Sequence, residues 1–272
     1  MNLTMNYSGI IREIIAKRAT AALLNVDGNP IITPDNEIGY RSAARDPSVV
    51  SDFDIFTIDL DDTLYYHEHA MEVFPEYIND ICNITGLDPA RVKGLIYSEH
   101  FRRLSIGSYD AFDWEDIVYT VAAKLKVNKR WNLEELQEKN YTPQTVYLLD
   151  GAVEFLNAIK GKALAATNGF SKYQLKIMDM LGIRPKFKGI LSPDTTHLTK
   201  GDVEFYSKLK GLKWIHVGDD YFYDVEIPSL AGAKTIWIYG RGKFTIGGFQ
   251  TLPTAMAPDL RSALKLLNFY FH

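Results

Sequence analysis

The sequence predicts an α/β protein: a three-layer, Rossmann-like core with a parallel sheet, carrying an inserted all-helical segment. Three observations point to it. Ile55, Phe56, Ile58 and Leu60 form a short apolar run that ends in Asp59, Asp61 and Asp62, as a buried parallel strand delivering acids to its C-terminal end would. Residues 67–148 carry helical periodicity without strand alternation. Past Asp150-Gly151 the pattern becomes strand, helix, strand, helix, which implies parallel strands with right-handed crossovers. The chain has 272 residues, 46% hydrophobic and 24% charged, ample for a large core.

Taken in order, the elements each have a local cause. Ile10, Ile11, Ile14 and Ile15 recur at helical spacing after Ser8, predicting a helix to about Leu24. A polar stretch with turn signals follows to Ser51, so residues 1–50 read as an extension: an arm packed on the core, a dimerisation arm giving a homodimer, or a flap. The strand ending at Leu60 comes next, and residues 51–66 with 149–272 form the predicted core. Within 67–148, Val73, Phe74, Tyr77, Ile78 and Ile81 make one amphipathic face. Asp88-Pro89 is an N-cap and first-turn pair, Asp113 with Asp116 opens a third helix, and Asn132 with Glu135 resembles a capping box for a fourth. In the second half, helices are predicted through Val153–Ile159 and 171–181, stopped by Gly161 and Gly182, then at 202–209, after Asp224, and through Leu260, Leu264 and Leu267. The matching strands are 163–166, 188–191, 214–217 and 235–239.

Composition excludes several roles. A net charge of −4 gives no electrostatic case for nucleic acid or an anionic membrane, and no apolar run approaches the ~20 residues a membrane helix needs. Cys82 is the single cysteine, so no intrachain disulfide forms; with charged Arg12, Glu13, Lys17 and Arg18 interrupting the first apolar stretch, the expected location is cytoplasmic.

The chemistry gathers at strand ends. Asp59 and Asp61, two residues apart, would face the same side if the strand continued; like charges so close call for a proton or a hard cation such as Mg²⁺ between them. Thr167, ending the 163–166 strand in AATNG, offers a hydroxyl for a phosphate oxygen, with backbone N–H groups of Asn168 and Gly169 beside it. Lys200 precedes a helix in TKGDVEFY. Asp219, Asp220 and Asp224 follow the apolar strand IHVG. Read singly, each is an acidic turn, a plain turn or a solvated charge. Their order along the chain is what counts.

Asp59-Leu60-Asp61-Asp62-Thr63 matches the DxDxT signature of the haloacid dehalogenase-like hydrolases, and GDDYFYD (218–224) with Ala231-Gly232 resembles their fourth motif. The resemblance covers roughly 53–270. It implies Asp59 as the nucleophile that forms an aspartyl-phosphate and Asp61 as the general acid/base. It further implies Thr167 and Lys200 on the transferring phosphoryl group, and Mg²⁺ held by Asp59, the backbone carbonyl of Asp61 and Asp219, with Asp224 binding through water or orienting the ligands. Asp220, one residue off, could take either acid's place. The third motif departs from the family pattern at Gly201 and Val203, where prolines are usual. A helical insertion at 67–148 resembles the cap of the family's subclass I.

That resemblance implies a Mg²⁺-dependent phosphatase of small phosphorylated metabolites, of the sugar phosphate, phosphoglycolate or nucleoside monophosphate type. Dehalogenases of the family need neither an acid at position 61 nor a metal. A phosphomutase, or a non-catalytic relative acting as a binding protein, are the other readings. For substrate choice, Arg102 and Arg103 in the helical segment could read a second anionic group, or be a solvated face. Tyr65, Tyr66 and Trp114 could stack on a base or sugar, and His67-Glu68-His69 reads as an exposed hinge rather than a zinc site.

Overall fold

The structure, a computed structural model, describes residues 52–68, 74–159, 161–240 and 251–270. The helix expected at 8–24 and the rest of the 1–50 extension lie outside them. The described residues all fall within one compact unit.

Its centre is a six-stranded parallel sheet flanked by helices. The strands are β1 (Ile55–Ile58), β4 (Ala163–Ala166), β5 (Phe187–Leu191), β6 (Trp214–Gly218), β7 (Lys234–Ile238) and β8 (Ala255–Ala257), in the order β5-β4-β1-β6-β7-β8. Every pairing is parallel. The sheet is α/β and Rossmann-like, as the apolar strand pattern predicts. β1 lies between β4 and β6, so the chain lays down strands on one side of it and then on the other. Such a reversal opens a crevice at the carboxyl ends, where α/β sheets bind ligands. Phe56, Ile58, Leu60, Ile215 and Val217 are fully buried, so apolar burial on both faces fixes β1 and β6.

A second, two-stranded antiparallel sheet corrects the all-helical reading of 67–148. It pairs β2 (Tyr65–His67) with β3 (Val146–Leu148), and β3 falls inside that segment. β8 is likewise an unexpected strand. Between β2 and β3 run α1 (Pro75–Thr85), α2 (Pro89–Ser105), α3 (Trp114–Lys124) and α4 (Leu133–Asn140). Their starts follow the sequence: Asp88 accepts from the Arg91 N–H at 2.9 Å, and Asn132 accepts from the N–H groups of Glu134 and Glu135. A helical insertion at this place is consistent with the family's helical-cap subclass.

The remaining helices are α5 (Ala152–Ala158), α6 (Ser171–Met180), α7 (Pro193–Thr196), α8 (Ile227–Leu230) and α9 (Leu260–Tyr270). Gly161 and Gly182 stop their helices at positive φ, +71° and +66°, which glycine adopts without steric cost. The helix expected over 202–209 is a 3₁₀ helix, Val203–Leu209. The helix expected after Asp224 starts earlier, as a π-helical turn over Phe222–Glu226 that runs into α8. Wide turns of this kind are rare and gather at functional sites.

Candidate active site

Three loops meet at the carboxyl ends of β1, β4 and β6. The first, after β1, is a tight turn: the N–H groups of Leu64 and Tyr65 donate to the Leu60 carbonyl, and that of Asp62 to the Tyr65 carbonyl. Asp62 closes it in the left-handed region (φ +60°), a conformation aspartate tolerates better than most residues. The turn leaves Asp59 buried, with 7% of its surface exposed, and turns Asp61 toward a cavity.

The Lys200 ammonium lies between two acids, 2.6 Å from Asp59 Oδ1 and 2.5 Å from Asp224 Oδ1. Asp224 is then used on every side. His216 Nε2 is 2.8 Å from the same oxygen, and the Asp220 N–H donates to Oδ2 at 2.8 Å. Thr57 Oγ1 contacts His216 Nδ1 at 2.8 Å, so β1 fixes the imidazole that fixes the acid. The close seat of Asp224 requires glycine at 218, where a Cβ would stand 2.2 Å from the Asp224 Cγ. Asp224 therefore orients Lys200.

Asp220 answers for its neighbours in the other way. Its Oδ1 accepts from the N–H groups of Phe222 and Tyr223, so it caps the π-helical turn instead of replacing Asp219 or Asp224 at the acid cluster. Asp219 accepts a hydrogen bond from the Thr63 hydroxyl at 3.1 Å, and its carbonyl accepts from the Trp237 indole. The last position of DxDxT thus ties the first loop to the third.

Asp59, Asp219 and Asp224 each offer an oxygen, all within 4.8 Å of one another and all buried. Three carboxylates against one ammonium leave an excess of negative charge, and hard oxygen donors at this spacing suit Mg²⁺. The donor set fits the ion. Burial pushes the Asp59 carboxyl up to about 7, Lys200 offsetting only part of it while Asp224 and Asp61 add to it. Burial works against the Lys200 ammonium too, but Asp224 and Asp59 more than compensate and hold it charged. Burial likewise disfavours the Asp224 carboxylate, yet Lys200 and His216 keep it ionised. His216 is driven toward the neutral form by burial.

Thr167 is buried, and its Oγ1 accepts from the Gly169 N–H at 2.9 Å, so that N–H is engaged within its own loop. Asn168 Oδ1 accepts from the Lys200 N–H at 2.8 Å and joins the β4 loop to the lysine. Asn168 and Gly169 both line the cavity.

That cavity, about 510 Å³, lies between the loops after β1 and β4 and the helical segment. Asp61 enters it under two restraints absent from the sequence reading. His67 Nε2 is 2.9 Å from Asp61 Oδ1, and Gln174 Nε2 donates to Oδ2 at 2.8 Å. Gln174 also accepts from the Tyr65 hydroxyl, and it packs where a Cβ on Gly169 would stand 2.1 Å from its nitrogen. His67 is consequently not an exposed hinge; it is paired with the acid and contacts the Tyr141 hydroxyl at 3.2 Å. Tyr65 is fully buried, whereas Tyr66 and Trp114 line the cavity.

Arg102 and Arg103 are corrected. Arg103 is buried, and its guanidinium contacts Glu99, Asp110, Asp116 and Thr120; Arg102 pairs with Glu99 at 2.6 Å. Neither lines the cavity. Arg103 braces α2 against α3 and the Tyr109–Phe112 turn, while Arg102 bonds only within α2.

A haloacid dehalogenase-like hydrolase family model matches residues 53–231, a range that takes in all three loops and Lys200. The chain belongs to this family. No curated protein matches it. Among solved structures it is similar to a haloacid dehalogenase-family phosphatase from Thermococcus onnurineus, at 18% identity and TM-score 0.62, over 80% of this chain and 99% of the other. It is also similar to a putative hydrolase of the family from Bacillus subtilis bound to magnesium (17%, 0.55, 80% and 99%). A third is a 2-haloacid dehalogenase from Pseudomonas syringae pv. Tomato DC3000 (18%, 0.55, 79% and 98%). At such identities these share the hydrolase's fold, and the sites decide the chemistry.

Proposed function

We propose that this hydrolase is a Mg²⁺-dependent phosphatase of small phosphorylated metabolites, working through an aspartyl-phosphate on Asp59. The observation that carries the reading is the carboxyl of Asp61, turned into the cavity and held by His67 and Gln174. Halide leaves without a proton, so a dehalogenase has no use for an acid there. An alkoxide leaving group needs one.

Asp59 would attack phosphorus in line, and Asp61 would protonate the departing oxygen, then take a proton from the water that hydrolyses the acyl phosphate. Lys200 stays charged beside the nucleophile and faces the phosphoryl oxygens, where its ammonium neutralises developing charge. Asn168 lines the cavity, and Thr167 precedes it at the end of β4, where its hydroxyl would meet a phosphoryl oxygen. Asp59, Asp219 and the Asp61 carbonyl would hold Mg²⁺; Asp224 lies within reach of the same ion, but its oxygens already serve Lys200, His216 and the Asp220 N–H, so it would act by keeping Lys200 in place. When bound, the ion would supply charge neutralisation on the phosphoryl group and would lower the cost of ionised Asp59. The helices between β2 and β3 would act as a cap over the cavity.

The test is phosphate release from p-nitrophenyl phosphate. With Mg²⁺ the wild-type protein releases phosphate; chelation and Asp59→Asn each abolish it. Halide release from a 2-haloacid without metal, in the absence of phosphatase activity, would assign the site to dehalogenation.

A further inference from the structure

The cavity that receives the leaving group has a chemistry of its own. Its apolar walls are largely aromatic, with Phe112, Trp114, Tyr141 and Tyr173 among them. Several of these rings are locked. His100 stacks on Trp114 with ring centroids 4.8 Å apart and itself bonds the Ala111 carbonyl at 2.6 Å. The Tyr173 hydroxyl donates to Asp113 at 2.7 Å and accepts from the Glu115 N–H. Rings already fixed lose little entropy when a flat partner slides between them.

Charge narrows the choice further. Among the described lining residues the ionisable acids are Asp61 and Asp62, and none is lysine or arginine. A substrate carrying a second anionic group would meet two carboxylates there, and the one lining side chain that can carry positive charge, His67, is already paired with Asp61. That disfavours a small phosphorylated acid or a bisphosphate.

One polar atom is left waiting. Gln137 lines the cavity from α4, is 4% exposed, and its Oε1 has no hydrogen-bond partner among the described residues. A buried carbonyl without a donor is costly unless a ligand supplies one.

Accepting the phosphatase reading above, on which this rests, we infer that the leaving group is a flat, uncharged ring with an N–H or O–H donor on its edge, the donor reaching Gln137 and the ring lying against Trp114. A nucleoside 5′-monophosphate has this chemistry, its base supplying both ring and donor. The cavity volume falls within the range of roughly 300–1,000 Å³ usual for sites of such ligands.

The full-length protein with Mg²⁺ is assayed for phosphate release from four nucleoside 5′-monophosphates, p-nitrophenyl phosphate, glycerol 3-phosphate and phosphoglycolate. The inference expects the best nucleotide to exceed phosphoglycolate and glycerol 3-phosphate in kcat/KM by at least about tenfold, the scale of one stacked base. Gln137→Leu and Trp114→Phe should lower that value more for the nucleotide than for the aryl phosphate, which is flat but lacks the donor. The nucleoside alone should quench tryptophan fluorescence, and Trp114→Phe should weaken the quench. Phosphoglycolate turned over as well as the nucleotides, or Gln137→Leu slowing both esters alike, would overturn the inference and leave the phosphatase reading intact. No phosphate from any ester removes both.

Discussion

The Lys200 ammonium stands 2.6 Å from the Asp59 carboxylate, although the two residues are 141 positions apart in the chain. With Asp224 on its other side, this lysine is a buried cation inserted between acids that would otherwise repel one another. The site is therefore balanced on one ammonium.

Removing it should be felt first in stability. Lys200→Ala leaves Asp59 and Asp224 buried without their cation, and loss of one member of a buried ion pair costs about 3–5 kcal/mol. Chemical denaturation at pH 8 should show a loss of this order. The loss should shrink near pH 5, where Asp59 takes up a proton.

Asp59 itself makes a prediction of opposite sign. Its folded carboxyl titrates at about 7, above its ordinary value. A group raised in the fold contributes stability that is fully present below the unfolded value and lost as pH rises through the folded one. Without metal, the protein should thus lose stability between about pH 4 and pH 7 through this group. Asp59→Asn, which cannot ionise, should raise the melting temperature at pH 8 and leave it nearly unchanged at pH 4. Equal effects at both pH values would contradict the assignment of this shift to burial of the charge.

His67 braces Asp61 from outside the reacting atoms. His67→Phe should lower kcat about tenfold, on the order of one hydrogen bond to a charged group, with little change in KM. Steady-state kinetics on an alkyl phosphate monoester, whose leaving oxygen needs the proton, measure the split. A rise in KM alone would make His67 a substrate contact instead.

Glu99 should anchor the helical segment. Its carboxylate sits with Arg102, Arg103 and Lys124, and hydrogen bonds from these cations, Arg102 foremost, outweigh burial and hold its carboxyl below the usual range. Such a group contributes stability above its unfolded value, near pH 4.3, that fades as pH falls toward the folded one. Glu99→Gln should cost about 2 kcal/mol at neutral pH, because the buried Arg103 loses an ionic partner, and less in acid.

How much of this the sequence announces depends on distance along the chain. β1, β4 and β6 are legible because apolar runs bounded by Asp and Gly are local signals, and the acids sit directly after them. Asp88 and Asn132 are legible as caps for the same reason. β2 and β3 are not: three-residue strands carry no period, and each exists because the other pairs with it. His67 follows from that pairing, since β2 is what turns it to Asp61. Gln174 looks like any polar residue of α6 until Gly169 is seen to make room for it. Arg103 deceives in the other direction, because its acidic partners at 99, 110 and 116 share its segment but their convergence is tertiary. Of the missed residues, His216 had the clearest signal, a lone imidazole within a fully buried strand.

The central claim is that Asp59 carries the phosphoryl group. The most direct measurement is mass spectrometry of protein quenched in acid during turnover of a phosphate monoester with Mg²⁺. The account predicts one added phosphoryl mass on the peptide spanning Asp59, absent from Asp59→Asn and absent when Mg²⁺ is chelated. Steady phosphate release with the label on another residue would contradict it.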